Sequence, residues 1–323
     1  MSLNLIEDEI KAVLNILYKR KQGENTEKLD WKRLFSSDGF KLLKQREEDM
    51  GNQLKKKAFK DFLLNEIEPE GYDQFQNAYQ NLKDINFNKI INKTKKYLPD
   101  HAVINTDIIP VIKPASNSFV HNIDNKLVLF LYLKPSISKK ELTNKLIHEL
   151  HHIGLDDIYQ KSDYTHLPKP VQRMIEWTNA FGEGFAMLAA AGSPAVHPNR
   201  FDEQLKERWD ENISNFNRDF KEIEKFLLDI LNKNFSNQKD LYDKGFQLMT
   251  NNGGQGSWYT VGYKIAVVIE KMTDKKVLTD CMKDFTKLYL TYNKLVVQYN
   301  KKYKEKLPQF SEKIIGSLKK ETR

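Results

Sequence analysis

The sequence His148-Glu149-Leu150-His151-His152 constrains this chain more than any other feature, because it matches the pattern H-E-x-x-H. Residues four apart lie on one face of an α-helix, so His148 and His152 can bind one metal ion if this segment is helical. The carboxylate of Glu149 is then placed to act as general base on a zinc-activated water. His151 is rotated by about 100° from His152, so we expect it to hydrogen-bond or pack rather than ligate.

The residues around the motif predict a helix from Ser138 to Ile153. Ser138 followed by Glu141 fits a capping box, in which a hydroxyl and a carboxylate satisfy the free amides of the first turn. Gly154 is expected to end the helix. An apolar stripe, predicted to face a core on the side opposite the two motif histidines, is formed by Leu142, Leu146, Leu150 and Ile153.

A catalytic zinc site needs a third protein ligand and one open position. Glu183 is the leading candidate, because it is the only charged residue in the apolar run 180–192. That run is expected to be a buried helix ending at Gly192, where a lone carboxylate is costly unless a cation compensates it. Gly182 and Gly184 flank the glutamate and are expected to let its helix approach the motif helix closely.

Other residues compete for the third-ligand role. Glu176 lies seven residues before Glu183 and so on nearly the same helix face, but in a more polar setting that favours orienting a ligand histidine. Asp156 and Asp157 follow Gly154, where we expect the chain to turn away. The remaining candidate is His166, in a loop bounded by prolines.

A glycine-rich stretch, 251–257, precedes a predicted helix from Trp258 to Met272, with Ser257 as its cap. Tyr259 and Tyr263 are four apart on it and share a face. A phenol near the metal can donate a hydrogen bond to the oxyanion of a tetrahedral intermediate, and two half-buried aromatics are an equally good interpretation.

These residues resemble a gluzincin, a zinc peptidase with H-E-x-x-H on one helix and a glutamate ligand on a later one. The segments 148–154, 183–186 and 259–263 are more closely similar to a family of uncharacterised bacterial proteins described as zinc-dependent peptidases. The resemblance spans roughly residues 126–272. It implies one Zn²⁺ per chain, held by His148, His152 and Glu183. The better-known gluzincins carry Asn-Glu-x-x-(Ser/Asp) at the third ligand, which this chain lacks.

The function that this resemblance implies is hydrolysis of a peptide or protein substrate. Glu149 would be the general base, and Tyr263, Tyr259 or His197 would assist the oxyanion. In the zincin arrangement an edge strand above the motif helix pairs with an extended substrate, and the segment 125–133 or a neighbouring strand is expected to do so. The alternative is a catalytically inactive binding module of zincin fold, against which the intact Glu149 argues.

Composition limits the other classes of function. The net charge is +8 with pI near 9.1, but the basic runs are short and scattered and no nucleic-acid motif accompanies them, so no nucleic-acid partner is expected. No apolar run is long enough to span a membrane. The acidic start shows no signal peptide, which favours a cytoplasmic protein, or an exported one if a native leader was trimmed. Cys281, the sole cysteine, excludes an internal disulfide.

The fold class predicted is α+β, mostly α, with a zincin-like catalytic core. Residues 1–98 are expected to form a helical N-terminal region and residues 99–323 the catalytic region. Within the latter we predict a small sheet at 102–133, active-site helices at 138–153 and 170–192, and C-terminal helices. The sheet strands are predicted at 103–105, 108–112, 119–120 and 125–133.

Overall fold

The structure is a computed structural model that describes residues 3–251 and 254–319. Helices dominate it, and they accompany one small sheet of four strands, which confirms the α+β class with a mostly helical chain. Among the described residues, no helix is both long and apolar enough to cross a membrane.

The chain divides into two compact units. Unit 1 consists of Met1–Ile91 and Val103–Ile153, and unit 2 of Asn92–Ala102 and Gly154–Arg323. The division proposed from sequence, at residues 98 and 99, stays a prediction.

The first part of the chain is helical apart from one short strand. Its elements are β1 (Leu3–Leu5), α1 (Asp8–Lys21), α2 (Lys28–Ser36), α3 (Asp38–Asp49), α4 (Lys56–Asp61) with a π-helical turn (Phe62–Glu66), α5 (Gly71–Lys83) and α6 (Phe87–Lys95). Leu5 and Ile6 lie in the region 1–98 that the sequence predicted to be helical, and for these two residues the prediction was wrong. Both residues instead extend the sheet, because Leu5 pairs with Ile108 and the Ile6 amide donates to the Ile108 carbonyl at 2.9 Å.

The sheet in unit 1 has the strand order β1-β2-β4-β3. Its remaining strands are β2 (Thr106–Val111), β3 (Phe119–Ile123) and β4 (Lys126–Tyr132). β1, β2 and β4 run parallel, and β3 is antiparallel to β4. β4 therefore lies inside the sheet, and β3 forms an edge. The predicted strand at 103–105 is absent, and its place at the other edge is taken by β1.

A tight hairpin joins β3 to β4. Asp124 and Asn125 have φ angles of 50° and 64°, the left-handed conformation that a type I′ turn requires at both central positions. Ile123 faces Lys126 across this turn. The sheet packs on α1 and α3 around a core of Leu43, Ile109, Val111, Ile123, Val128 and Phe130.

The remaining elements are all helical. They are α7 (Lys139–Gln160), α8 (Lys169–Thr178) with a 3₁₀ turn (Asn179–Phe181), α9 (Gly182–Ala191), α10 (Glu203–Ser214), α11 (Phe216–Leu231), α12 (Gln238–Thr250), α13 (Ser257–Met272), α14 (Lys275–Met282), α15 (Phe285–Tyr303) and α16 (Glu312–Lys319). The predicted helix at 170–192 is thus interrupted at Asn179. Among the C-terminal helices, α10 ends at Ser214 with Asn215 as its C-cap, and α15 begins after Asp284, whose carboxylate caps it.

Helix α13 runs through the centre of unit 2. It contacts α9, α11 and α15, and most of its residues are buried. Trp258 is fully buried and its indole N–H donates to the Gly245 carbonyl at 3.0 Å. An aromatic core surrounds it, formed by Trp177, Phe181, Phe226, Tyr289 and Phe310.

Candidate metal centre

The motif helix α7 begins as the sequence predicted. The Ser138 hydroxyl accepts a hydrogen bond from the Glu141 amide at 3.1 Å, and the Ser138 carbonyl accepts one from Leu142 at 2.9 Å. The four residues of the predicted apolar stripe are all buried, at 2% exposure or less. Burial of this stripe fixes the rotation of the helix, and the motif histidines on its other side remain half-buried.

The expectation that Gly154 ends this helix was wrong, because α7 continues to Gln160. A Cβ atom at Gly154 would lie 2.3 Å from Cδ1 of Leu98, so the glycine permits close packing in the middle of the helix. Asp156 and Asp157 are consequently helical. Asp157 forms an ion pair with Lys161 at 2.7 Å, and Asp156 accepts a hydrogen bond from Gln160.

The imidazole rings of His148 and His152 approach each other through their Nε2 atoms. Nε2 of His148 lies 3.1 Å from Nε2 of His152, and the two rings are nearly perpendicular, at 80°. These two nitrogen atoms and a carboxylate oxygen of Glu183 all lie within 4.8 Å of one another. The structure therefore brings together the three residues that the sequence singled out, and they form a group that could hold a metal ion.

The donor set and its spacing fit zinc. Zinc–nitrogen bonds of 2.0–2.1 Å at a tetrahedral angle place two nitrogen atoms about 3.3 Å apart. The observed Nε2–Nε2 distance of 3.1 Å is close to that value. Two imidazoles and one carboxylate are also a ligand set of catalytic zinc sites, which leave a fourth position open.

Glu183 lies in the first turn of α9. All the remaining residues of this helix are buried. Glu183 itself is half-buried. The helix ends at Gly192, whose φ of 81° and amide bond to the Leu188 carbonyl form a left-handed C-cap, as predicted.

The predicted role of Gly184 requires correction. A Cβ there would lie 2.0 Å from the Tyr263 amide nitrogen and 2.5 Å from the Tyr259 carbonyl oxygen, so this glycine admits the backbone of α13 rather than the motif helix. Gly262 does the same from the other side, against the Phe181 carbonyl. The small residues therefore hold the turn of α13 that carries both tyrosines against the start of α9.

Tyr263 is 8% exposed, and its ring meets Trp209 edge-on at 5.2 Å. Burial, together with the negative charge of Glu270, raises the pKa of Tyr263 to about 12. Its phenol therefore keeps its proton at neutral pH and can donate a hydrogen bond. Tyr259 is half-buried. Ser257 is the first residue of α13 rather than its cap, because Gly256 occupies the cap position.

The competing residues lie in other settings. Glu176 is exposed and lines a groove of about 510 Å³ together with Lys169 and Arg173. His166 is exposed, and His151 is fully buried. His197 has both ring nitrogens engaged, by the Asn199 amide at 3.0 Å and the Asp210 carboxylate at 3.0 Å. Groups of three or more His, Cys, Asp or Glu side chains can hold a metal ion. In the described part of the chain, the one such group is His148, His152 and Glu183.

Glu149 is 8% exposed on the same helix, next to the ligand candidates. A residue that the sequence argument missed, Lys145, precedes it by four residues, about one helical turn. The i, i+4 spacing of Lys145 and Glu149 was the available signal, since it places both side chains on one face. Burial lowers the pKa of the Lys145 ammonium, and the charge of Glu149 acts in the opposite direction.

Comparison with known proteins identifies the family of this chain. A family model described as "Putative zinc dependent peptidase (DUF5700)" matches residues 31–301, well over half of the chain. The chain belongs to this family. The match begins much earlier than the segments 126–272 that carried the resemblance in the sequence. No curated protein and no solved structure matches the chain.

Proposed function

We propose that this member of the family is a zinc-dependent peptidase of gluzincin type. His148, His152 and Glu183 hold one zinc ion, and Glu149 is the general base. The observation that carries the proposal is the meeting of three donor groups within 4.8 Å, two from the motif and one from a helix that starts about thirty residues later. The zincin-like character of the catalytic core is part of the same proposal.

Zinc at this position would polarise the scissile carbonyl and lower the pKa of a water molecule to about 7. The Glu149 carboxylate takes the proton of the attacking water and passes it to the leaving amine. Its position directly after His148 fixes it beside the ligands, and its burial limits competition from bulk solvent.

A phenol of α13 supplies the hydrogen bond to the developing oxyanion. Tyr263 is suited to this role, because a pKa near 12 keeps its proton available as a donor. Tyr259 shares its helix face and is the second candidate. Both depend on the glycine contact between α9 and α13 for their position.

Strand β3 is the element on which a substrate can add. The segment 125–133 was one sequence candidate, but β4 already pairs on both sides, with β2 and β3. In a two-residue hairpin the closing pair is hydrogen-bonded. The backbone N–H and C=O groups of Ile123, His121 and Phe119 are therefore directed toward β4. The backbone groups of Val120 and Asn122 therefore point outward, where an extended peptide can pair with them.

The first test is the zinc content of the chain, measured by elemental mass spectrometry on protein purified without chelator or metal-affinity resin. About one zinc per chain is expected, since three protein ligands suffice for a catalytic site. No zinc after equilibration at micromolar concentration and neutral pH would contradict the proposed ligand set.

The second test separates catalysis from binding. Glu149→Gln should keep its zinc and lose peptide hydrolysis by at least about 100-fold, because general-base catalysis contributes that much. Glu176→Gln, an exposed acid, is the matched control and should retain activity. Undiminished hydrolysis by Glu149→Gln would show that another group is the base, and zinc without any hydrolysis in the unaltered chain would favour an inactive binding module.

A further inference from the structure

Helix α7 presents a cation on the face that carries the motif. Lys145 precedes Glu149 by four residues and His152 by seven, so the three side chains lie within about 60° of one another around the helix axis. The axial distance from Lys145 to Glu149 is about 6 Å, one helical turn. All three residues belong to unit 1.

The ammonium of Lys145 has no partner in the described part of the chain. No carboxylate there lies within 4 Å of it, and it makes no hydrogen bond with the described residues; it lies over the Tyr132 ring, with the centroid 5.7 Å away. The side chain is half-buried. A cation that loses water without gaining an ion pair destabilises the folded state, and an anionic ligand would offset this cost.

A second lysine lies near the same ring. The Lys113 ammonium is 5.9 Å from the Tyr132 centroid, and the residue is only 6% exposed. It donates to the Ala115 carbonyl at 2.5 Å and to the Asn117 side-chain oxygen at 2.6 Å, both of which are neutral groups. Burial, and to a smaller degree the charges of Arg46 and Lys145, lowers the pKa of Lys113 to about 8, while Glu47 opposes the shift.

The two lysines beside this ring are not held in close ion pairs in the described part of the chain. Arg46 is neutralised by Glu47 at 2.6 Å, whereas Lys113 and Lys145 have no carboxylate of their own within 4 Å among the described residues. Glu149 and Glu141 attract the Lys145 ammonium only from beyond 4 Å, so its charge lies beside the catalytic face, about one turn before Glu149. An extended peptide advances about 3.3 Å per residue, so the axial rise of about 6 Å between Lys145 and Glu149 corresponds to one or two residues of a substrate.

We propose that Lys145, assisted by the field of Lys113, binds a carboxylate of the substrate within two residues of the scissile bond, which makes this protein selective for peptides that are anionic there. The inference rests on the proposed peptidase function. The carboxylate is either the C-terminal one or the side chain of Asp or Glu, since both offer the same charged acceptor to an ammonium group.

Matched peptide pairs test the proposal with the zinc-loaded full chain. One pair differs only in a free or amidated C-terminus, placed one or two residues after the cleaved bond. The other differs only in Glu or Gln at the positions flanking it. In at least one pair, we expect kcat/KM to be about 10-fold or more higher for the peptide that carries the carboxylate. The pair that shows this difference identifies the source of the carboxylate.

Substitutions at Lys145 assign the preference. Lys145→Met should remove it, Lys145→Arg should retain part of it, and Lys145→Glu should reverse it. Lys140→Met, the same charge change at an exposed position of the same helix, should leave it intact. Equal kcat/KM within both pairs in the unaltered chain would overturn the proposal.

Lys145 could instead act on Glu149 by holding its carboxylate in the charged form. In that case Lys145→Met would lower kcat/KM equally for both members of every pair and would shift the acidic limb of the pH profile upward. That result would make Lys145 a positioning residue and would also overturn the proposal.

A binding measurement separates this inference from the proposed function. If the unaltered chain hydrolyses nothing, the dissociation constants of the same peptide pairs decide. Tighter binding of the carboxylate member by about 10-fold, lost in Lys145→Met, would support the anion site although the peptidase proposal fails. Equal binding of both members would overturn the inference by itself.

Discussion

Helices α1 and α9 each carry a glutamate in apolar surroundings, but the two carboxyl groups behave differently. Glu9 in α1 is completely buried, and in the described structure neither of its oxygens has a hydrogen-bond partner. Burial, with a smaller contribution from the charge of Asp8, raises its pKa well above the usual range and so favours the neutral form of Glu9. Glu183 in α9 is half-buried and lies with two imidazole nitrogens.

The difference shows what identifies a ligand carboxylate. The sequence argument for Glu183 was that a lone carboxylate in an apolar run needs a cation. Glu9 is the more deeply buried of the two and has no ion pair with the described residues, and a buried carboxyl can also avoid the cost of burial by keeping its proton. Convergence of further donor atoms, rather than burial, therefore distinguishes Glu183 from Glu9.

The largest effect that tests this contrast concerns zinc affinity. Glu183→Ala should weaken zinc binding by roughly 1,000-fold, about 4 kcal/mol, because one of three protein ligands is lost. Competition titration with a chromophoric chelator measures it. Glu176→Ala and Glu9→Gln should leave the affinity within about threefold of the unaltered chain. A greater loss with Glu176→Ala than with Glu183→Ala would reverse the assignment of the third ligand.

The glycines packed beside these two helices give the next largest effect. Gly184→Ala should lower the free energy of unfolding by about 3 kcal/mol, because the new methyl meets backbone atoms of α13 that cannot move separately. Gly39→Ala in α3 is the comparison, since its methyl would lie 2.7 Å from Cβ of Glu9 and 3.1 Å from a methyl of Ile109, a milder overlap than the backbone contacts of 2.0–2.5 Å at Gly184. Its cost should be about 1 kcal/mol. Denaturant unfolding of both variants tests the ranking, and equal losses would contradict the packing argument.

The smallest effect is the pH dependence of Glu9. An unfolded glutamate ionises near pH 4.5, whereas the folded one stays protonated to a higher pH, so the unfolded state binds fewer protons above 4.5 and stability falls as pH rises. Glu9→Gln removes the ionisable group and with it this fall of stability with pH. The variant should therefore gain about 1–3 kcal/mol relative to the unaltered chain between pH 4 and pH 7. Unfolding curves at both pH values measure the change, and a constant difference would mean that Glu9 is ionised in the folded protein.

Local patterns in the sequence were sufficient for much of unit 1. The start of α7 at Ser138, its buried leucine stripe and the strand β4 before it are each encoded by neighbouring residues. β1 was missed, because three residues carry too little periodicity to distinguish a strand from the first turn of a helix. Its pairing with β2 depends on residues about one hundred positions away.

The glycines illustrate the limit of such patterns. Gly192 ends α9 as predicted, whereas Gly154 lies inside α7 and Gly184 faces α13. Gly154 and Gly192 both follow apolar helical residues, so local sequence does not distinguish them. A glycine can end a helix or allow another segment to pack closely against it. Which of these occurs depends on the segment that lies there, as Leu98 does at Gly154.

The sequence by itself determined the chemistry of the motif, because the i, i+4 spacing of His148 and His152 on a helix places two imidazoles and the Glu149 carboxylate together without any distant contact. Only the tertiary structure decided which acid lies near them, which glycine admits which helix, and that Lys145 forms no close ion pair with the described residues. These features depend on non-local packing and on the charges that it brings near or leaves apart, and no short stretch of sequence records them.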